Sequence, residues 1–149
     1  MDRVVQYSKE NLRERKMKKL LALLTVALSG CTVIDAYLMA HFDSNEYQMI
    51  TTIRYDAHIA QESCGDTAKS KALANDIAYK TGVYKLYESD ISHNDDSIKA
   101  ATALDEIAGG LRDRYNKDDK VSQMYCKLKF GSIENSATLI QHVQGNRPR

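Results

Sequence analysis

The sequence predicts an all-α protein, specifically an antiparallel four-helix bundle, and three observations carry that prediction. From Asp43 onward, apolar residues recur at intervals of three and four, the period of an amphipathic helix rather than a strand. No run of alternating β-branched residues competes with this pattern. The breaks between the apolar stripes are short and carry capping residues, and short connections between long helices favour antiparallel neighbours.

The first helix is expected near 45–63, with Met49, Ile50, Ile53, Ala57 and Ala60 running into Cys64. Asp43, with Glu46 three residues on, resembles a capping box. Asp66–Thr67 after Gly65 supplies a C-cap and then an N-cap within a four-residue turn. The second helix, near 67–88, carries Leu73, Ala74, Ile77, Ala78, Tyr84 and Tyr87, with Ile91 just beyond. Ser92 with Asp95 forms a second box-like start for a helix near 95–115, whose stripe is Ile98, Ala101, Leu104, Ile107, Ala108, Leu111 and Tyr115. Asn116–Lys117–Asp118–Asp119 precedes the last helix, expected near 119–144. Its apolar residues are Val121, Met124, Tyr125, Leu128, Leu139 and Val143, in line with Ser132. Gly109 and Gly110 interrupt the third stripe at a cost of about 1 kcal/mol each relative to Ala. Close helix packing is the expected reason, with a kink or a ligand opening as alternatives.

The head of the chain is different in kind. Residues 1–19 hold seven basic and three acidic groups, and residues 20–30 hold none. Lys18 and Lys19 lead into Leu20–Leu21–Ala22–Leu23–Leu24–Thr25–Val26–Ala27, followed by Leu28–Ser29–Gly30–Cys31. A basic start, a short apolar run and a small-residue exit have the layout of a secretory signal, and the run falls short of the roughly 20 residues of a membrane span. Leu28–Ser29–Gly30–Cys31 resembles the lipobox of bacterial lipoprotein precursors at all four positions. The resemblance covers about 14 residues. It implies cleavage before Cys31, lipidation of its thiol and new amino terminus, and anchoring to a membrane. Thr32, where Asp would favour inner-membrane retention, implies the outer membrane, with the domain facing the periplasm. More than one acyl chain is needed for stable anchoring.

The domain plan that follows is a signal peptide at 1–30, an acylated cysteine and tether at 31–44, and a bundle at 45–149. Met17–Lys18–Lys19–Leu20 looks like a natural start, so residues 1–16 read as an extended n-region or a mis-assigned start.

Cys64 and Cys126 then remain, an even number in an oxidising compartment. A disulfide is the favoured reading; two buried free thiols, or a metal pair with a histidine, are the alternatives. In an antiparallel bundle the end of the first helix and the start of the fourth lie at the same end, which suits a bridge.

No chemistry announces itself in the remainder. His41, His58, His93 and His142 lack metal-site spacing, and no Cys-x-x-Cys, Glu-x-x-His pair, P-loop, Gly-x-Ser-x-Gly or dinucleotide fingerprint occurs. Asp95–Asp96 and Asp118–Asp119 sit at expected helix starts, where they complement the helix dipole. No cofactor, metal site or catalytic residue is expected. The whole chain carries net charge +1, but residues 31–149 hold 14 basic and 17 acidic groups, which disfavours binding nucleic acid through its phosphates. Eight tyrosines beyond residue 30, including Tyr47, Tyr55, Tyr79, Tyr84 and Tyr87, fit either a half-buried bundle or an interface.

The expected function is therefore a non-enzymatic, lipid-anchored envelope module that binds a protein partner or supports the envelope. The alternatives are a small-ligand carrier with a cavity near Gly109–Gly110, and a phage-type lipoprotein acting in lysis or superinfection exclusion.

Overall fold

The computed structural model describes residues 40–117 and 120–149. The signal at 1–30, Cys31, most of the tether at 31–44, and Asp118–Asp119 lie outside the described residues. The described residues are all helical in their regular structure, with no strand among them: α1 (Ser44–Ala60), a 3-10 turn (Gln61–Gly65), α2 (Thr67–Ser89), α3 (Asp95–Lys117) and α4 (Gln123–Gly145). They fall within one compact unit, residues 39–149.

Each start has a local cause. The Asp43 carboxylate accepts from Asn45 N–H at 2.7 Å, and Asp66 accepts from Lys69 N–H at 3.0 Å, so both α1 and α2 are capped by aspartate. Asp95 and Asp96 open α3 while Arg114 and Lys117 close it, matching both ends of the helix dipole. Between α2 and α3 the chain turns through His93, whose φ of 59° is in the left-handed region that non-glycine residues rarely occupy. α4 begins at Gln123 rather than near 119, because Ser122 is its cap: the hydroxyl accepts from Tyr125 N–H at 3.2 Å. Asn116 and Lys117 belong to the end of α3 instead.

The core is built from Ile50, Ile53 and Ala57 of α1, Ala74, Ile77 and Tyr84 of α2, and Leu104, Ala108, Leu111 and Tyr115 of α3. These are the faces expected from the sequence. α4 is a correction. It buries Cys126, Phe130, Ile133, Ala137 and Ile140, whereas Met124, Leu128, Leu139 and Val143 face solvent. The helix carries two apolar faces, and the one that includes its only Phe fills the core.

The pairings between helices follow a simple order. Along α1 and its 3-10 extension, Glu46 meets Gln144, Thr51 meets Gln141, His58 meets Glu134, and Cys64 meets Cys126. Along α2, Ser70 meets Tyr115, and Thr81 and Lys85 meet Asp105. In both series the partner's number falls as the residue's own number rises. α1 packs on α2 and α4, and α3 packs on the same two helices.

Gly109 and Gly110 do not mediate close packing. A side-chain carbon at Gly109 would touch only the Arg112 side chain, at 3.7 Å, and one at Gly110 would meet nothing within 4 Å. The pair faces outward, and neither glycine lines the grooves described below.

Candidate functional site

Cys64 and Cys126 come together, with Cα atoms 5.7 Å apart, within the normal range for a disulfide. Cys64 stands in the 3-10 turn that prolongs α1, and Cys126 in the first turn of α4, so the ends of two helices are placed side by side.

The opposite end of the helices holds a cluster that sequence reasoning missed. Glu46, Tyr84 and Glu88 are fully buried, with Gln144, Asn94 and Arg147 nearly so. Arg147 donates from Nη1 to Glu46 Oε2 at 2.6 Å and from Nη2 to Asn94 Oδ1 at 2.7 Å, with Ser97 Oγ at 2.5 Å from the same nitrogen. Asn94 donates to Glu88 Oε2 at 2.5 Å, and the Gln144 amide nitrogen contacts Glu46, Tyr84 and Glu88. Gln144 Oε1 has no hydrogen-bond partner.

Two buried carboxyl groups face one guanidinium here. Burial, then hydrogen bonding to Glu88 and its charge, push the Glu46 carboxyl up to about 8, against the pull of Arg147. A proton retained on Glu46 lowers the negative charge buried beside Arg147. Burial likewise raises the Tyr84 phenol far above its ordinary value, so it stays protonated and able to donate. Beside the cluster, Tyr87 donates to Asp43 Oδ2 at 2.6 Å and holds that carboxyl below the usual carboxylate range.

This cluster fastens the chain's tail to the start of α1. Phe42 N–H donates to Pro148 C=O at 2.8 Å, and the Arg149 guanidinium lies 5.2 Å from the Phe42 ring centroid. The cluster's buried side chains bond to one another across the start of α1, the end of α2, the start of α3 and the tail, which ties that end of the fold together.

Two grooves reach the surface beside α1. Between α1 and α2, Met49, Ile53, Tyr79 and Val83, with Asn45, Gln48, Thr52 and Lys80, line an open groove of about 370 Å³. Tyr79 is 72% exposed. Lys80 is tied to Asp56 at 2.7 Å and Asp76 at 2.6 Å, and both contacts raise its pKa. The groove thus combines an apolar set, Met49, Ile53, Tyr79 and Val83, with a rim lysine that is already tied to two aspartates. Between α1 and α4 a second depression of about 300 Å³ carries His58, whose Nδ1 is 3.0 Å from Glu134 Oε1. Gln61 donates to the other Glu134 oxygen at 2.7 Å, and Arg54 donates to Gln141 at 2.8 Å. Every polar group named there has a partner within the chain.

His41, His93 and His142 are exposed, Tyr84 and Tyr115 are core residues, and Tyr55 is exposed. Among the described residues no three His, Cys, Asp or Glu side chains could together hold a metal ion, and no helix is long and apolar enough to cross a membrane. Compared with known protein families, curated proteins and solved structures, the chain has no significant match.

Proposed function

We propose that the chain is a non-enzymatic, lipid-anchored module of the bacterial envelope that binds a protein partner. In this reading Leu28–Ser29–Gly30–Cys31 directs acylation of Cys31, and the folded unit hangs from the outer membrane into the periplasm. The unit itself is an antiparallel four-helix bundle, a reading supported by the two opposed series of pairings, Glu46–Gln144 to Cys64–Cys126 and Ser70–Tyr115 to Thr81–Asp105. A Cys64–Cys126 bond suits an oxidising compartment.

The observation that carries the partner-binding role is the α1–α2 groove. Met49, Ile53 and Val83 give it an apolar floor, and Tyr79 stands exposed at its edge. An amphipathic aromatic beside an apolar groove is the composition of a recognition surface, where Tyr is enriched. The groove is open rather than enclosed, which favours a protein surface over a carried small molecule.

Two measurements on the full chain in its own envelope test this. Mass spectrometry of the membrane-extracted protein should find lipid mass on Cys31; an unmodified Cys31 still joined to residues from Met17 or Met1 overturns the anchoring. A photo-crosslinking benzoylphenylalanine at Tyr79 should trap one reproducible envelope protein, and Val83→Lys should abolish the adduct. A small-molecule adduct, or none, overturns the protein-binding role.

A further inference from the structure

α4 carries a second apolar face that the fold leaves uncovered. Met124, Leu128, Leu139 and Val143 are 82%, 65%, 70% and 54% exposed. At 3.6 residues per turn they fall within about 100° of one another around the helix. Ser132 and Asn135 share that sector, as do Tyr125 and His142, and no Asp, Glu, Lys or Arg of α4 does. Lys129, on its flank, lies over the Tyr125 ring at the edge of the sector, 5.8 Å from the centroid.

The order of residues on this face is symmetric. Met124 and Val143 stand equally far from the helix midpoint between Ile133 and Glu134. Leu128 and Leu139 do the same, and so do Ser132 and Asn135. A second copy laid antiparallel across a two-fold axis at that midpoint therefore sets Met124 against the partner's Val143 and Leu128 against the partner's Leu139. Ser132 meets the partner's Asn135 at the crossing, where small polar side chains let the helices approach. This self-complementarity is what an isologous interface requires, since the same patch must serve both subunits. A face shaped for an unlike partner has no reason to repeat itself in reverse.

We propose that the chain forms a two-fold homodimer through this outer face of α4. The area suits a reversible association. Each of these side chains offers on the order of 100 Å² of apolar surface. Eight of them, with the neighbouring Ser132, Asn135, Tyr125 and His142 atoms of both copies, reach about 1,000 Å², the lower limit for a specific interface. The dimer therefore exchanges with monomer and strengthens with concentration, as it would on crowding at a surface. The α1–α2 groove is on other helices, so this proposal stands or falls separately from the partner-binding role.

The test uses the full-length chain solubilised from membranes in mild detergent. Sedimentation should show a concentration-dependent dimer, and a benzoylphenylalanine at Leu128 should crosslink to the segment around Leu139 of a second copy. Leu128→Glu should weaken dimerisation at least tenfold while leaving helical content and melting temperature unchanged, because Leu128 is exposed. Leu128→Glu combined with Leu139→Lys should restore it, since the dyad then pairs each glutamate with the partner's lysine twice over. A monomer at every accessible concentration overturns the proposal. So does a dimer that Leu128→Glu does not weaken, or one that the double variant fails to restore.

Discussion

Arg147 is buried against Glu46, 101 positions earlier in the chain, with Nη1 2.6 Å from Oε2. The two residues come from the last and first described stretches of the fold, and Asn94 and Ser97 at the start of α3 complete the arginine's partners. A guanidinium presents a rigid fork of donors, which is why one side chain can serve three acceptors.

Removing that fork should be costly. Arg147→Met leaves two buried carboxyl groups without their cation, and breaking a buried pair from one side typically costs about 3–5 kcal/mol. Denaturant unfolding should show a loss of that order in Arg147→Met. Arg147→Lys should recover only part of it, because an ammonium on a flexible stem does not span Glu46, Asn94 and Ser97 together. A change below about 1 kcal/mol for Arg147→Met would show that the cluster is not a stabilising clamp.

Glu46 makes stability depend on pH with a definite sign. Its folded-state pKa, about 8, lies above the ordinary glutamate value of 4.5, so the folded chain holds a proton that the unfolded chain releases. That contribution is fully present below pH 4.5 and is lost as pH rises towards 8. Melting temperature should therefore fall between those limits, with a slope from this group of at most about 1.4 kcal/mol per pH unit. Glu46→Gln, which mimics the protonated carboxyl, should flatten the slope. An equally steep profile in the variant would place the pH dependence elsewhere.

The two cysteines of the folded unit should titrate as no free thiol in the oxidised protein. A bond across 62 residues of sequence is worth about 4 kcal/mol by loop entropy, so reduction should lower the melting temperature by many degrees. Helical content should persist, because Ile53, Ile77, Leu104 and Ile133 still bury a common core. Cys64→Ser and Cys126→Ser should destabilise by similar amounts, and the double variant by no more than either. Additive losses would mark two independent core thiols.

The helices themselves were legible from the spacing of apolar residues, and on α1, α2 and α3 so was the buried face. α4 was misread because Met124, Leu128, Leu139 and Val143 have the same helical period as Cys126, Phe130, Ile133 and Ile140; period alone cannot rank two stripes on one helix. The polar cluster was missed for a different reason. Glu88 and Gln144 extend the stripes of Ile77–Tyr84 and Ile133–Ile140, and Glu46 stands one turn before Ile50, so each is a polar residue at a core position. Any one of them reads as the solvated end of a helix. Three such residues expected at the same end of a bundle, with one arginine beyond the last helix, would have been the signal.

The hydrogen bond from Phe42 to Pro148 also decides how the fold answers a mechanical load. A pull along the chain from its amino-terminal side passes Phe42 before it reaches α1, and there the backbone is joined to the tail beyond α4. The force is thus shared between the first helix and the tail beyond the last, with the Arg147–Glu46 pair joining the same two stretches. A tag fused after Arg149 would press on the same junction. Under the proposed anchoring at Cys31, the tail would act as strain relief at the point where the cable joins the plug.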